Sequence, residues 1–135
     1  MSTPGSLMPT PLPGSEGTHL LGEWYGCDFS TPTLNDLDTL RCICLFVTHD
    51  SGLEIVGDVF HKFKPQGVTG TVLLAESHLA IHTWPEAKFT TLDVYVCNIR
   101  EDNTSKALKL YNTLKEYFHP QGENFSRVHR GRRGE

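Results

Sequence analysis

Long apolar runs are missing from this chain. Nothing approaches the roughly 18 consecutive apolar residues of a membrane-spanning helix, so no membrane partner is expected. Positive charge is not in excess either: 12 Lys and Arg stand against 16 Asp and Glu, a formal net charge of −4. That balance argues against a protein that coats nucleic acid. The first residues lack a basic segment followed by an apolar one, which sets an expectation against secretion. Cysteine is scarce, with four residues at 27, 42, 44 and 97. Neither a CxxC pair nor a repeated zinc-knuckle spacing occurs among them, so they read as reduced thiols of a cytoplasmic protein, and no metal is expected. Repeats at solenoid periods are absent.

What remains is a globular composition, 38% hydrophobic and 21% charged over 135 residues, the size of one domain. Residues 1–17, MSTPGSLMPTPLPGSEG, hold half of the prolines and have little to bury. They are expected to form a disordered tail. The domain is expected over 18–129, followed by a basic tail at 130–135. The arginines of RVHRGRRGE (Arg127, Arg130, Arg132, Arg133) read as solvated, with contact to an anionic partner or a dimer edge as the alternative.

Between the tails the hydrophobic period changes several times. THLLGEWYG (18–26) reads as a strand. Thr33 and Asp36 suggest a helix start, and Leu37, Leu40, Cys44 and Val47 then form one apolar stripe that stops at Asp50-Ser51-Gly52. LEIVGDVF (53–60), GVTGTVLL (67–74), HLAIHTW (78–84) and TLDVYVC (91–97) are short, β-branched or aromatic, and bounded by turn residues, so they read as strands. Ala107, Leu108, Tyr111, Leu114 and Phe118 mark a second helix, ending before Pro120, and 123–129 adds a last strand. This order predicts an α+β fold, a two-layer sandwich of an antiparallel sheet with two helices on one face. Cys27, Cys42 and Cys44 are expected to be small buried hydrophobes.

The densest chemistry is LLAESHLAIHTWPE (73–86), which holds Glu76, Ser77, His78, His82, Trp84 and Glu86. Alternation along a strand puts His78, His82 and Trp84 on one face, and Asp93, Tyr95 and Cys97 on the face opposite Leu92, Val94 and Val96. Several readings stand side by side. A Ser–His–acid hydrolase would need its serine on a GxSxG elbow, and AESHL has no glycine. A zinc site could draw on His61, His78, His82 and Cys97, but HxxxH supports a metal best on a helix. A thiol enzyme using Cys97 and His82 is chemically sensible, because an imidazole lowers a thiol's pKa. Each residue also has an ordinary structural role open to it, as a turn hydrogen bond or a packed aromatic.

Three segments resemble one family. FHKFKPQGVTGTVLLAESHLAIHTWPE (60–86), EWYGCD (23–28) and LDVYVC (92–97) are similar to the bacterial and archaeal S-adenosylmethionine decarboxylase proenzymes, a pyruvoyl-dependent family, with the similarity running from about Thr18 to Val128. The resemblance implies self-cleavage between Glu76 and Ser77, leaving a covalent pyruvoyl group at position 77. It implies that His82 assists cleavage as an acid or base and that Thr69 stands where the family usually has a helping serine. It further implies that the cofactor holds substrate as a Schiff base and that Cys97 returns a proton after carbon dioxide leaves. Phe63 and Trp84 match residues shaping the substrate site, and Glu86 matches one at the ribose. The implied product is decarboxylated S-adenosylmethionine for polyamine (spermidine) synthesis, made by a homodimer of cleaved αβ protomers with sites shared across the interface.

The chain departs from the family pattern where WPEYGYAAxDVFTCG becomes WPEAKFTTLDVYVCN. Those changes spare the cleavage residues and lie near the substrate pocket. Arginine or ornithine as substrate, and an unprocessed ligand-binding paralogue, are the alternative expectations.

Overall fold

Apolar alternation is visible strand by strand in the computed structural model, which describes residues 16–30 and 32–131. The elements are β1 (Gly17–Tyr25), α1 (Leu37–Asp50), β2 (Ile55–Lys62), β3 (Val68–Leu74), β4 (Ser77–Trp84), β5 (Phe89–Cys97), α2 (Thr104–Phe118) and β6 (Gly122–Arg130). All strands pair antiparallel in one sheet of order β2-β3-β4-β5-β1-β6. Both helices pack on one face, α1 over β2 and β3, and α2 over β5 and β1. The expected two-layer α+β architecture is therefore the one observed.

The core lies between helices and sheet. Leu20 and Trp24 of β1, Val68 and Val72 of β3, Leu79 and Ile81 of β4, and Leu92, Val94 and Val96 of β5 meet Leu40, Cys44 and Val47 of α1 and Leu110, Tyr111, Leu114 and Phe118 of α2. On the four inner strands the buried residues fall on alternate positions, as a sheet with one covered face requires, whereas the edge strands β2 and β6 have no buried residue. Trp24 Nε1 donates to the Tyr111 hydroxyl at 3.0 Å and to Glu123 at 3.2 Å, and the Tyr111 hydroxyl donates to Glu123 at 2.6 Å. This network ties β1, α2 and β6 and satisfies the polar ends of two buried aromatics. Gly22 is required beneath it, because a Cβ there would run into the Tyr111 ring and hydroxyl.

Several boundaries differ from the expectation. Helix α1 begins later than Thr33: Asp36 is its N-cap and accepts from the Thr39 N–H at 2.9 Å, while Pro32–Leu34 forms a short 3₁₀ turn. Strand β2 starts at Ile55 because Leu53 is drawn into the core as the chain leaves α1. Cys27 and Cys44 are buried, but Cys42 is exposed. Two residues from Cys44, it points to the other side of a helix that turns about 100° per residue. At the C-terminal end, β6 pairs with the whole of β1, Gly17 opposite Arg130, so Arg130, expected to open the basic tail, belongs with Arg127 to the last strand. The expected N-terminal tail up to residue 15 and the last four residues lie outside the described residues. Among the described residues, no helix is long and apolar enough to cross a membrane.

Candidate active site

Two clusters of the expected site residues form, one at each end of the sheet. The first is built on the β3–β4 hairpin. Leu74 pairs with Ser77, leaving a two-residue turn of Ala75 and Glu76. Glu76 has φ 61, in the left-handed region that non-glycine residues seldom occupy. Backbone strain of this kind concentrates where structure serves chemistry, and here it immediately precedes Ser77. The Ser77 hydroxyl accepts a hydrogen bond from the Cys97 backbone N–H at 3.0 Å. The last residue of β5 and the first of β4 are thereby held together.

Cys97 is itself fixed from behind. Its carbonyl accepts from Asn103 Nδ2 at 2.8 Å, and the Asn98 side chain accepts from the Asn103 N–H at 2.8 Å. Asn98 Nδ2 also donates to Thr18 at 3.0 Å. A cavity of about 260 Å³ opens beside this end, lined by Glu54, Glu76, Ser77, Cys97, Arg100 and Lys106 among others. These supporting groups carried no signal in the sequence: two asparagines after a strand and a lysine entering a helix are ordinary.

The second cluster occupies the other end. Thr69 and His82 are register partners on β3 and β4, and Thr69 Oγ1 lies 2.9 Å from His82 Nδ1. The His82 ring tilts over Trp84 at 6.1 Å, Trp84 packs on Phe89 at 5.4 Å, and Phe63 meets His61 edge-on at 4.8 Å. Gly67, at φ 102, turns the chain so that the Phe63 N–H reaches its carbonyl at 2.8 Å. The result is a cavity of about 550 Å³ lined by Phe63, Thr69, His82, Trp84 and Glu86. Phe63 is 48% exposed and Trp84 40%, so part of each aromatic surface is open to a ligand.

One protomer does not unite these clusters. His82 is five residues beyond Ser77 on β4, about 17 Å at the rise of an extended strand. An odd spacing also turns the two side chains to opposite faces. On β5 the partner of His82 is Thr91, six residues short of Cys97. The Cys97–His82 thiol arrangement therefore does not form within one chain. His61, His78, His82 and Cys97 do not converge either, and no group of three metal-type side chains exists among the described residues.

Sequence reading missed a third group, on the uncovered face. His19 pairs with Tyr95 across β1 and β5, and His78 pairs with Tyr95 across β4 and β5. The His19 ring meets those of His78 and Tyr95 at 6.0 and 5.8 Å, and Arg130 lies 4.7 Å over the Tyr95 ring. His19 Nε2 is buried without a partner. Burial pushes this imidazole below its ordinary value, with Arg130 and His78 adding to the effect against the pull of Asp93.

Comparison with known proteins bears on the family and the fold. Residues 18–131 match the family model of S-adenosylmethionine decarboxylase. The chain is 50% identical to an S-adenosylmethionine decarboxylase proenzyme of Syntrophomonas wolfei over 86 residues, 64% of this chain and 67% of that one. It is 48% identical to one of Pelotomaculum thermopropionicum over 81 residues, 60% and 63% of the two chains. The matched stretches thus span about two thirds of these relatives. The crystal structure of the adenosylmethionine decarboxylase from Aquifex aeolicus superposes with a TM-score of 0.74 at 29% identity, covering 93% of each chain. Sheet, helices and hairpin thus agree with relatives over nearly the whole described chain, and this protein belongs to the S-adenosylmethionine decarboxylase family.

Proposed function

We propose that this protein is a self-processing decarboxylase acting on S-adenosylmethionine, matured by cleavage between Glu76 and Ser77. The observation that carries the reading is the local setting of Ser77: it follows a left-handed, non-glycine residue, and its hydroxyl is held against the backbone of Cys97. The Ser77 oxygen attacks the Glu76 carbonyl carbon and converts the amide to an ester. Loss of the residue-77 Cα proton and of the Glu76 carboxylate leaves a dehydroalanine, which gains water and sheds ammonia to give a pyruvoyl group. The residues fit that group, since position 77 heads a strand with a thiol-bearing neighbour. Once formed, its carbonyl supplies capture of an α-amine and withdrawal of electrons as carbon dioxide departs. Cys97 delivers a proton from Sγ to the substrate's α-carbon. Phe63 and Trp84 hold the adenine and sulfonium by stacking and cation–π attraction, and Glu86 takes the ribose hydroxyls.

The separation of the two clusters supports a homodimer of cleaved αβ protomers with composite sites. Each site combines Ser77 and Cys97 of one copy with the Thr69–His82 end of the other. The uncovered sheet face, with Val59, Leu73, Tyr25 and Val128 all more than 40% exposed, is the surface that a second copy would cover. In this reading His82, tied to Thr69, serves self-cleavage as an acid or base across the interface. A cytoplasmic setting suits an enzyme that depends on a reduced Cys97.

Intact mass of the purified protein tests the proposal. Chains corresponding to 1–76 and 77–135 are expected, with Ser77→Ala remaining whole. A wild-type chain that stays full length after prolonged incubation refutes it.

A further inference from the structure

The cleavage proposed above ends by expelling a carboxylate. When the residue-77 Cα proton is removed from the ester, the electrons of the Cα–H bond form the Cα–Cβ double bond. The Cβ–Oγ bond then breaks with its electron pair on oxygen. That oxygen is now part of the Glu76 α-carboxylate, so a full negative charge appears at the end of residue 76. The cavity that receives it already holds the carboxylates of Glu54, Glu76 and Glu101. A fourth carboxylate among three others is disfavoured unless a cation meets it.

Two cations line the cavity, Arg100 and Lys106. Arg100 is exposed, beyond the end of β5. Lys106 is held: its side chain is only 33% exposed, and its Cε lies 3.4 Å from the position a Cβ on Gly52 would take. Its Nζ stands 3.5 Å from Glu101 Oε2, longer than a charge-assisted hydrogen bond of about 2.8 Å. That loose pairing leaves the ammonium free to turn toward a better partner. Lys106 also sits in the first turn of α2, where no acidic residue occurs and where a cation opposes the helix dipole. Helix stability does not explain a lysine at this position.

We infer that Lys106 receives the Glu76 α-carboxylate as it leaves, speeding the elimination step of self-processing without affecting the earlier acyl shift. The inference rests on cleavage at Glu76–Ser77, and its test separates the two. Newly made wild type, Lys106→Gln, Lys106→Arg and Arg100→Gln are quenched with hydroxylamine, which cleaves esters but not amides. Intact mass then distinguishes a chain beginning with Ser77, released from trapped ester, from one beginning with pyruvoyl, read as the oxime that hydroxylamine forms on its ketone. Lys106→Gln is expected to form the pyruvoyl chain about tenfold more slowly, less than the loss for a fully buried oxyanion donor, and to accumulate the hydroxylamine-sensitive ester. Lys106→Arg keeps the charge and is expected to restore most of the rate, and Arg100→Gln to behave as wild type. The inference is overturned if Lys106→Gln processes at the wild-type rate. It is equally overturned if Lys106→Gln stays whole with no ester to trap, if arginine fails to rescue, or if Arg100→Gln accumulates the ester instead. A wild type that never cleaves removes the foundation itself.

Discussion

The proposed composite sites make a quantitative prediction about mixed dimers. His82 lies five residues along β4 from Ser77 and on the opposite face, so about 17 Å of extended chain separates them within a protomer. Proton transfer needs heavy atoms within about 3 Å, or one water beyond that. No side-chain rotation closes such a gap, so His82→Ala and Ser77→Ala should each fail to cleave alone. Co-expression should rescue one of them. In a mixed dimer, one site combines Ser77 and Cys97 of the His82→Ala chain with Thr69 and His82 of its partner, while the other lacks both Ser77 and His82. At equal expression and random pairing in a two-fold dimer, about half of the dimers are mixed. About half of the His82→Ala chains should therefore be cut, and none of the Ser77→Ala chains. Tags of different mass on the two chains make both fractions readable on one denaturing gel. Mixed dimers that leave the His82→Ala chain whole, or His82→Ala chains that cleave unaided, refute the shared-site argument.

Three further outcomes follow from the same geometry. Cys97→Ala keeps the backbone N–H that holds Ser77 and is expected to cleave; product analysis should show slow decarboxylation with more transamination per turnover, and an unchanged product ratio would move the proton donor elsewhere. Phe63→Ala removes one stacking face, worth about 0.5–2 kcal/mol, so steady-state assays should show KM for S-adenosylmethionine raised roughly two- to thirtyfold with kcat little changed. Carbon dioxide released from labelled arginine or ornithine, and none from S-adenosylmethionine, would replace the substrate and keep the cleavage chemistry. For Glu123, partial burial pushes the carboxyl up, but hydrogen bonds from Tyr111, Lys115 and Trp24 outweigh it and hold the group below its ordinary value. Its contribution is therefore present above the unfolded value of about 4.3 and disappears as pH falls through the folded one. Unfolding free energies of Glu123→Gln, from denaturant titrations, should lie below wild type by up to about 1 kcal/mol near neutrality and converge with it toward pH 3; a constant difference at every pH would contradict the assignment.

Much of this protein was written locally. Val68, Val72 and Leu74 alternate with Thr69, Thr71 and Leu73 on β3, as Leu92, Val94 and Val96 do with Asp93 and Tyr95 on β5, and side-chain direction in a strand depends only on parity. The stripe Leu40–Cys44–Val47 likewise identified the buried side of α1, because the helical period is a property of consecutive residues. The Glu76-Ser77 bond and the ESHLAIHTWPE string are also local, which is why the proposed cleavage site and the resemblance could be read without coordinates.

Pairing across the sheet could not be read that way. That β1 lies between β5 and β6, with Gly17 opposite Cys97 on one side and Arg130 on the other, depends on segments far apart in sequence competing for the same ladder. The consequences fall on the site: Cys97 meets Ser77, Thr69 meets His82, Lys106 lines the cavity beside Ser77, and His19 joins His78 and Tyr95. Ser77 and His82 stand only five residues apart in sequence, but an extended strand adds about 3.4 Å per residue and carries them to opposite ends. Residue identities and strand parity came from the sequence alone; which side chains stand within reach of one another was decided by strand order and register, because both depend on hydrogen bonding between distant segments.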